Sequence, residues 1–265
     1  LFVGTIADAV QEDEIVLYLP FDEGKGKMAK DTSEFKNDGT LHQAKWAKGK
    51  YGNAVSLSGA NGGWVEVPDS PSLDITNEIT LMCWVNPTQF TDEWFRILVK
   101  TWAGDTAPWM VYGIYEWGGN NGKTGFIVSV NKGKEGRAGS DAGDTPNLKT
   151  KKWTHLAATY DGKEMKLYYD GKVEAEKGIK GKIDTNDVLV SIGKNSEGQR
   201  EYHIGLIDEV AIWKMALNQN EIQEAMKRVY AIEPQSKLST SWGFVKNQYT
   251  EQPANQGAQQ SRLRF

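Results

Sequence analysis

A chain of 265 residues with 39% hydrophobic residues is long enough to bury one large core. Its formal net charge of −4, with Lys and Arg scattered among Asp and Glu, leaves no basic field for nucleic acid or an anionic membrane surface. No window beyond the amino terminus approaches the roughly eighteen apolar residues of a membrane span, so membrane insertion is not expected, and the single cysteine, Cys83, excludes a disulfide within the chain. Leu1 to Ala9 reads as the end of an apolar segment followed by a small-residue cleavage pattern, so residues 1–13 are taken as a signal-peptide remnant and amino-terminal extension of an exported protein. An extra edge strand over Leu1 to Ile6 is the structural alternative.

From residue 14 to 213, short β-rich runs alternate with Gly, Asn and Asp turns, the pattern of an antiparallel sandwich. Strands are predicted at 14–20, 54–58, 64–67, 79–86, 95–101, 109–116, 124–131, 153–160, 164–170, 172–177, 188–193 and 204–213. Cys83, inside the run Ile79 to Val85, reads as a small buried hydrophobe. Asn131 to Asn147, with Arg137, Asp141 and Asp144, has no hydrophobic pattern and reads as a loop that is either functional or plain surface. Asp161-Gly162 and Asp170-Gly171 predict two tight hairpins in a meander from Trp153 to Glu176. In Gly205 to Trp213, alternation puts Leu206, Asp208, Val210 and Ile212 on one face and Ile207, Glu209, Ala211 and Trp213 on the other. Both faces are largely apolar, so the two carboxylates need partners.

A helix is predicted over 218–230, capped by Asn218, with Glu221 at the capping-box position and Ile222, Ala225, Met226 and Val229 at helical spacing. Residues 233–265 form a polar tail. Within it Leu238 to Tyr249, carrying Trp242 and Phe244, is a candidate to lie along the sandwich or to add a strand to a neighbour's sheet, giving a homo-oligomer through the tails.

An ordered series of motifs adds to this pattern. Leu17-Tyr18-Leu19-Pro20-Phe21-Asp22-Glu23-Gly24, Asp31-Thr32-Ser33, Asn37-Asp38-Gly39, Lys48-Gly49-Lys50-Tyr51-Gly52-Asn53-Ala54, Trp84-Val85-Asn86-Pro87, Trp153 to Gly162 and Gly205 to Trp213 follow one another as in a known family. Over residues 14–232 the chain resembles the LamG-like, concanavalin A-like jelly-roll family. The resemblance implies an all-β, two-sheet antiparallel jelly-roll sandwich with one short carboxy-terminal helix.

That family also houses laminarinase-like glycosidases, whose resemblance to one another lies in a Glu-x-Asp-x-x-Glu strand. Retaining chemistry needs two carboxyl groups about 5–5.5 Å apart. Here Leu206 and Ala211 stand where the outer glutamates would be, and no other strand supplies the pattern. His42, His155 and His203 lie in unrelated segments without a second ligand at metal spacing, and no Gly-x-Ser-x-Gly elbow occurs. Tyr, Arg and Asn are present, but not in the strand motifs of related polysaccharide lyases. No enzymatic activity is expected.

Two non-catalytic sites are expected instead. If the first and last strands are neighbours, oxygens of Asp22, Asp31, Asn37, the Gly39 carbonyl and Asp208 can converge on a structural Ca2+, which takes six to eight oxygen ligands. The family resemblance carries the same implication. The alternative is that the loop residues make ordinary turn bonds while Asp208 accepts backbone amides. Second, Trp94 to Trp117 is the densest aromatic stretch, and Trp109, Val111, Gly113, Tyr115 and Trp117 alternate onto one face, with Gly113 leaving a gap. Trp102, Trp109, Tyr115, Trp117, Asn120 and Asn121 are the candidate sugar-binding residues, ring faces packing on a pyranose while amides meet its hydroxyls. The alternative for any single ring, Trp109 and Tyr115 among them, is that it fills the core of the sandwich. The sequence is thus read as a secreted or cell-surface lectin-like module, the rival being an interaction protein that self-assembles through its tails.

Overall fold

The computed structural model describes residues 14–58, 62–91, 94–104, 107–117, 119, 122–139, 145–197 and 200–227. Two antiparallel sheets of eight strands stack on each other. The first runs β14 (Lys172–Gly178), β13 (Glu164–Tyr169), β12 (Thr154–Tyr160), β7 (Ile79–Pro87), β16 (Ile204–Trp213), β5 (Asn53–Ser58), β4 (Lys45–Lys48), and β1 (Ile15–Leu19) also pairs with β16. The second runs β11 (Lys134–Gly139), β10 (Thr124–Val130), β9 (Met110–Glu116), β8 (Phe95–Thr101), β15 (Val190–Ile192), β6 (Trp64–Val67), β3 (Gly39–His42), β2 (Met28–Ala29). Aliphatic and aromatic side chains from both sheets form one continuous core, among them Leu19, Val85, Ile114, Leu156 and Ile192. The jelly-roll sandwich expected from the sequence is the fold observed.

Strands with strong apolar alternation form where expected, because their inward residues have a core to enter. The short strands β2, β3 and β4 and the edge strand β11 were not expected. The inward positions of β11 are the small Gly136 and Ala138, so its burial leaves no hydrophobic signal, and the part of the supposed 131–147 loop from Lys134 to Gly139 is in fact a strand. At Gly136 a Cβ would meet Met165 and Ile179 within 2.9 Å, which is why that position carries none. The Asp170-Gly171 hairpin has both residues at positive φ, 47° and 74°, as a two-residue turn matched to strand twist requires.

Strand β16 departs from simple alternation. A bulge between Asp208 and Ala211, with Glu209 at φ 51°, returns Val210 and Ile212 to the same inter-sheet core that Ile207 enters. Asp208 and Glu209 are thereby both kept out of that core. The helix α1 (Gln219–Ala225) is shorter than expected and begins as expected: Asn218 Oδ1 accepts the Asn220 and Glu221 amides, and Glu221 Oε2 accepts the Asn218 amide. The segments 1–13 and 233–265, with the expectations attached to them, lie outside the described residues.

Candidate functional site

The outer face of the second sheet carries a pocket of about 240 Å³ lined by Trp94, Arg96, Trp109, Ile127, Arg137 and Glu201. Strand register builds it. Arg137 lies opposite Ile127, Ile127 opposite Gly113, and Arg96 opposite Tyr115, so β8 to β11 present these side chains as neighbours on one surface. Trp94 stacks on Tyr115 with centroids 5.6 Å apart and meets Trp117 edge-on at 4.1 Å. The Arg96 guanidinium lies 5.8 Å from the Tyr115 ring centre.

Two ion pairs frame the rings. Arg96 Nη2 lies 3.0 Å from Glu201 Oε2, and Arg137 Nε lies 2.6 Å from Glu135 Oε1. Glu135 Oε2 also accepts the Trp109 backbone amide at 2.8 Å, fixing the position of that residue. Arg96 is buried, and burial lowers its pKa; Glu201 pulls it back up, while Arg200 and Arg137 push it further down.

The sequence-based ligand residues divide. Trp109, 40% exposed, lines the pocket. Tyr115 has no exposed surface: it is the support beneath Trp94, so its expected contact with ligand is corrected to a structural role. Trp117 is half-buried against Trp94, and Trp102 packs on the inter-sheet core, apart from this group. Gly113 leaves no gap, since the space a Cβ would take is held by Val99 Cγ1 at 2.6 Å and Met110 Sδ at 3.0 Å. Asn120 and Asn121 lie outside the described residues. The list missed Trp94, Arg96, Ile127, Arg137 and Glu201. The aromatic run carried a signal for Trp94, and Arg137 stood in the 131–147 segment read as either a functional or a plain surface loop; Glu201 comes from a loop far along the chain.

The expected metal ligands also divide. Asp31 is a loop organiser: Oδ1 accepts the Tyr18 and Ser33 amides and Oδ2 accepts the Asn37 amide and the Ser33 hydroxyl. Asn37 in turn donates to the Val16 carbonyl and accepts from Ser70. Gly39 sits in β3 against Val65. These three do not join Asp208. Asp22 and Asp208 instead flank the turn between β4 and β5: Asp22 Oδ1 accepts the Asn53 amide at 3.0 Å, and Asp208 Oδ2 accepts the Lys50 and Tyr51 amides at 2.8 and 3.1 Å.

Glu209, absent from the expected set, belongs to this second group. The Tyr18 hydroxyl donates to its Oε2, and its buried Oε1 has no hydrogen-bond partner. Burial pushes Asp208 up to about 7, against the pull of three backbone amides, and Glu209 up to about 8, with neighbouring carboxylates adding to both shifts. Among the described residues no three His, Cys, Asp or Glu side chains converge as a metal site. The oxygen donors here are partly backbone. A Cβ on Gly49 would lie no more than 2.6 Å from the Asn53 carbonyl, the Tyr51 carbonyl and Asp208 Oδ2, so glycine keeps open a cradle of oxygens beside the buried carboxylates. Asp208 Oδ2 and those two carbonyls are hard oxygen donors of the kind Ca2+ takes, with Asp22 bonded to the same turn and Glu209 adjacent to Asp208 in sequence.

Of the histidines, His155 packs edge-on against Trp84 at 5.2 Å and burial lowers it to about 3. His203 is buried 3.2 Å from Glu116, and His42 stacks on Trp64 at 4.5 Å.

Residues 58–223 match the laminin G-type model described as the concanavalin A-like lectin/glucanases superfamily. The chain belongs to this superfamily. As a member of the concanavalin A-like superfamily it is 31% identical over 105 residues to Pappalysin-1 of Mus musculus, a match covering 37% of this chain and 6% of that protein. Its fold is similar to the binding domain of Paraclostridial Mosquitocidal Protein 1 (TM-score 0.63, 18% identity, 80% of this chain and 52% of that one). It is also similar to domain 4 of AbnA, an extracellular arabinanase from Geobacillus stearothermophilus, in complex with arabinotriose (0.57, 18%, 80% and 98%). A third likeness is to the botulinum neurotoxin serotype D ligand-binding domain in complex with N-acetylneuraminic acid (0.60, 16%, 83% and 52%). At these identities the likeness is one of fold.

Proposed function

We propose that this chain is a non-catalytic carbohydrate-binding module that grips a sugar unit in the pocket of Trp94 and Trp109. The observation that carries the reading is Trp109, an exposed indole on a backbone whose amide is held by Glu135, beside two Arg–Glu pairs: a flat apolar ring with hydrogen-bonding groups at its rim is what a pyranose face requires. Binding of sugars by domains of the same fold supports it. Turnover is not part of the reading, since Glu135 and Glu201 are each tied to an arginine and the glycosidase positions of β16 hold Leu206 and Ala211. An extracellular setting accords with the laminin G-type family.

A structural Ca2+ is the second part of the proposal, now on Asp22, Asp208, Glu209 and the carbonyls of Tyr51 and Asn53. When bound there it would supply charge that lets two buried carboxylates ionise together. The first test is binding to a broad polysaccharide panel, with calcium and with chelator, by the full chain and by Trp109→Ala. Saturable binding lost in the variant supports the module; a folded, calcium-loaded protein that binds no saccharide moves the assignment to protein recognition or self-assembly.

A further inference from the structure

We propose that the Trp94–Trp109 pocket selects a sugar bearing a carboxylate, a uronic or sialic acid, over its neutral counterpart. This rests on the glycan-binding reading of the same pocket and adds the chemistry of its ligand. Two guanidinium groups border one apolar floor, Arg96 from β8 and Arg137 from β11, with Ile127 between them on β10. The acceptors already there are engaged. Glu201 Oε2 takes Arg96 at 3.0 Å and the Asn195 amide at 2.8 Å, while Glu135 takes Arg137 Nε and the Trp109 backbone amide.

One buried donor in the pocket wall is unmatched. Arg96 is 5% exposed, and its Nε–H is buried with no acceptor. A buried, unpaired donor on a charged group is costly to leave unmade, so a ligand gains most by bringing an acceptor to it. Arg137 and Arg200 also lie close enough to oppose the charge on Arg96, a repulsion that an anion relieves and a neutral sugar does not. A planar carboxylate matches the guanidinium fork, whereas a hydroxyl offers one weaker acceptor. The indole of Trp109 would carry the C–H face of the ring and leave its carboxylate directed at the arginines.

The test is calorimetric titration of the full chain with polygalacturonate, with the same polymer after reduction of its carboxylates to alcohols, and with sialyllactose beside lactose. The expected result is an acidic probe bound at least about tenfold more tightly than its neutral partner. That advantage should shrink as sodium chloride rises, and it should largely vanish in Arg137→Gln with partial retention in Arg137→Lys. Trp109→Ala should lose acidic and neutral binding alike. The two acidic probes tell a uronate site from a sialate site. Equal affinity for acidic and neutral partners, both lost in Trp109→Ala, overturns the acidic preference and leaves the glycan reading standing. Absence of binding to these probes and to every saccharide of the broad panel removes both. The reduced polymer makes the comparison on unaltered protein, so misfolding of a variant cannot mask the outcome.

Discussion

Asp208 Oδ2 accepts the Lys50 backbone amide at 2.8 Å across 158 residues of chain, so a carboxylate in the last strand holds the turn between β4 and β5. Asp208 also reaches the Tyr51 and Glu209 amides, and Glu209 is bonded by Tyr18 of the first strand. The two ends of the sandwich are thus fastened through acids whose pKa values burial has raised.

Those shifts give stability a pH dependence of definite sign. Asp208 and Glu209 bind protons more tightly folded, at about 7 and about 8, than at their ordinary values of 3.8 and 4.5. The stabilisation is complete below the ordinary values and is lost as pH rises through about 7 and then about 8. In chelator, the melting temperature should fall as pH is raised from 5.5 to about 9. Calcium should flatten that fall, and Asp208→Asn should weaken the calcium effect. A melting temperature indifferent to calcium at alkaline pH would count against the ion.

His155 sets the opposite limb. Its folded value of about 3 lies below the ordinary 6.5, so its contribution is present above 6.5 and is lost as pH falls toward 3. Thermal unfolding of His155→Leu followed from pH 7 to 4 should show a shallower acid loss than the parent chain; equal slopes would assign that loss to other groups.

Gly49→Ala presses a methyl into the Tyr51 and Asn53 carbonyls and Asp208 Oδ2. Overpacking of this kind costs about 1–3 kcal/mol. The variant should melt lower in chelator and gain little from added calcium, as differential scanning calorimetry with and without the ion would report.

Trp109 and Tyr115 should separate binding from folding. Trp109→Ala removes an exposed ring, so stability should move by about 0.5 kcal/mol or less while affinity for the preferred glycan falls at least about tenfold. Tyr115→Ala empties a buried site beneath Trp94 and should cost about 3–5 kcal/mol. Denaturant titration beside glycan binding checks both; a strongly destabilised Trp109→Ala would mean that the indole is core.

Much of this protein is decided by local sequence. Alternating apolar residues form strands wherever a second apolar face is available, Asp170-Gly171 supplies two residues suited to positive φ, and Asn218 with Glu221 starts α1 through bonds spanning three residues. The family motifs set the sandwich and the pairing of its first and last strands. Tertiary structure decided the rest. Strand β11 exists because a neighbouring edge accepts Gly136 and Ala138, which have no periodicity of their own to announce them. The bulge at Glu209 reversed the assignment of faces along β16 and brought a second acid beside Asp208, a choice made by pairing to β7. Tyr115 became support and Trp109 surface although alternation put them on one face, because exposure depends on what packs above a ring. The pocket joins Arg96, Arg137 and Glu201 from three separated segments. Cross-strand register makes them neighbours, and no spacing within the sequence encodes a distance that only the folded sheet creates.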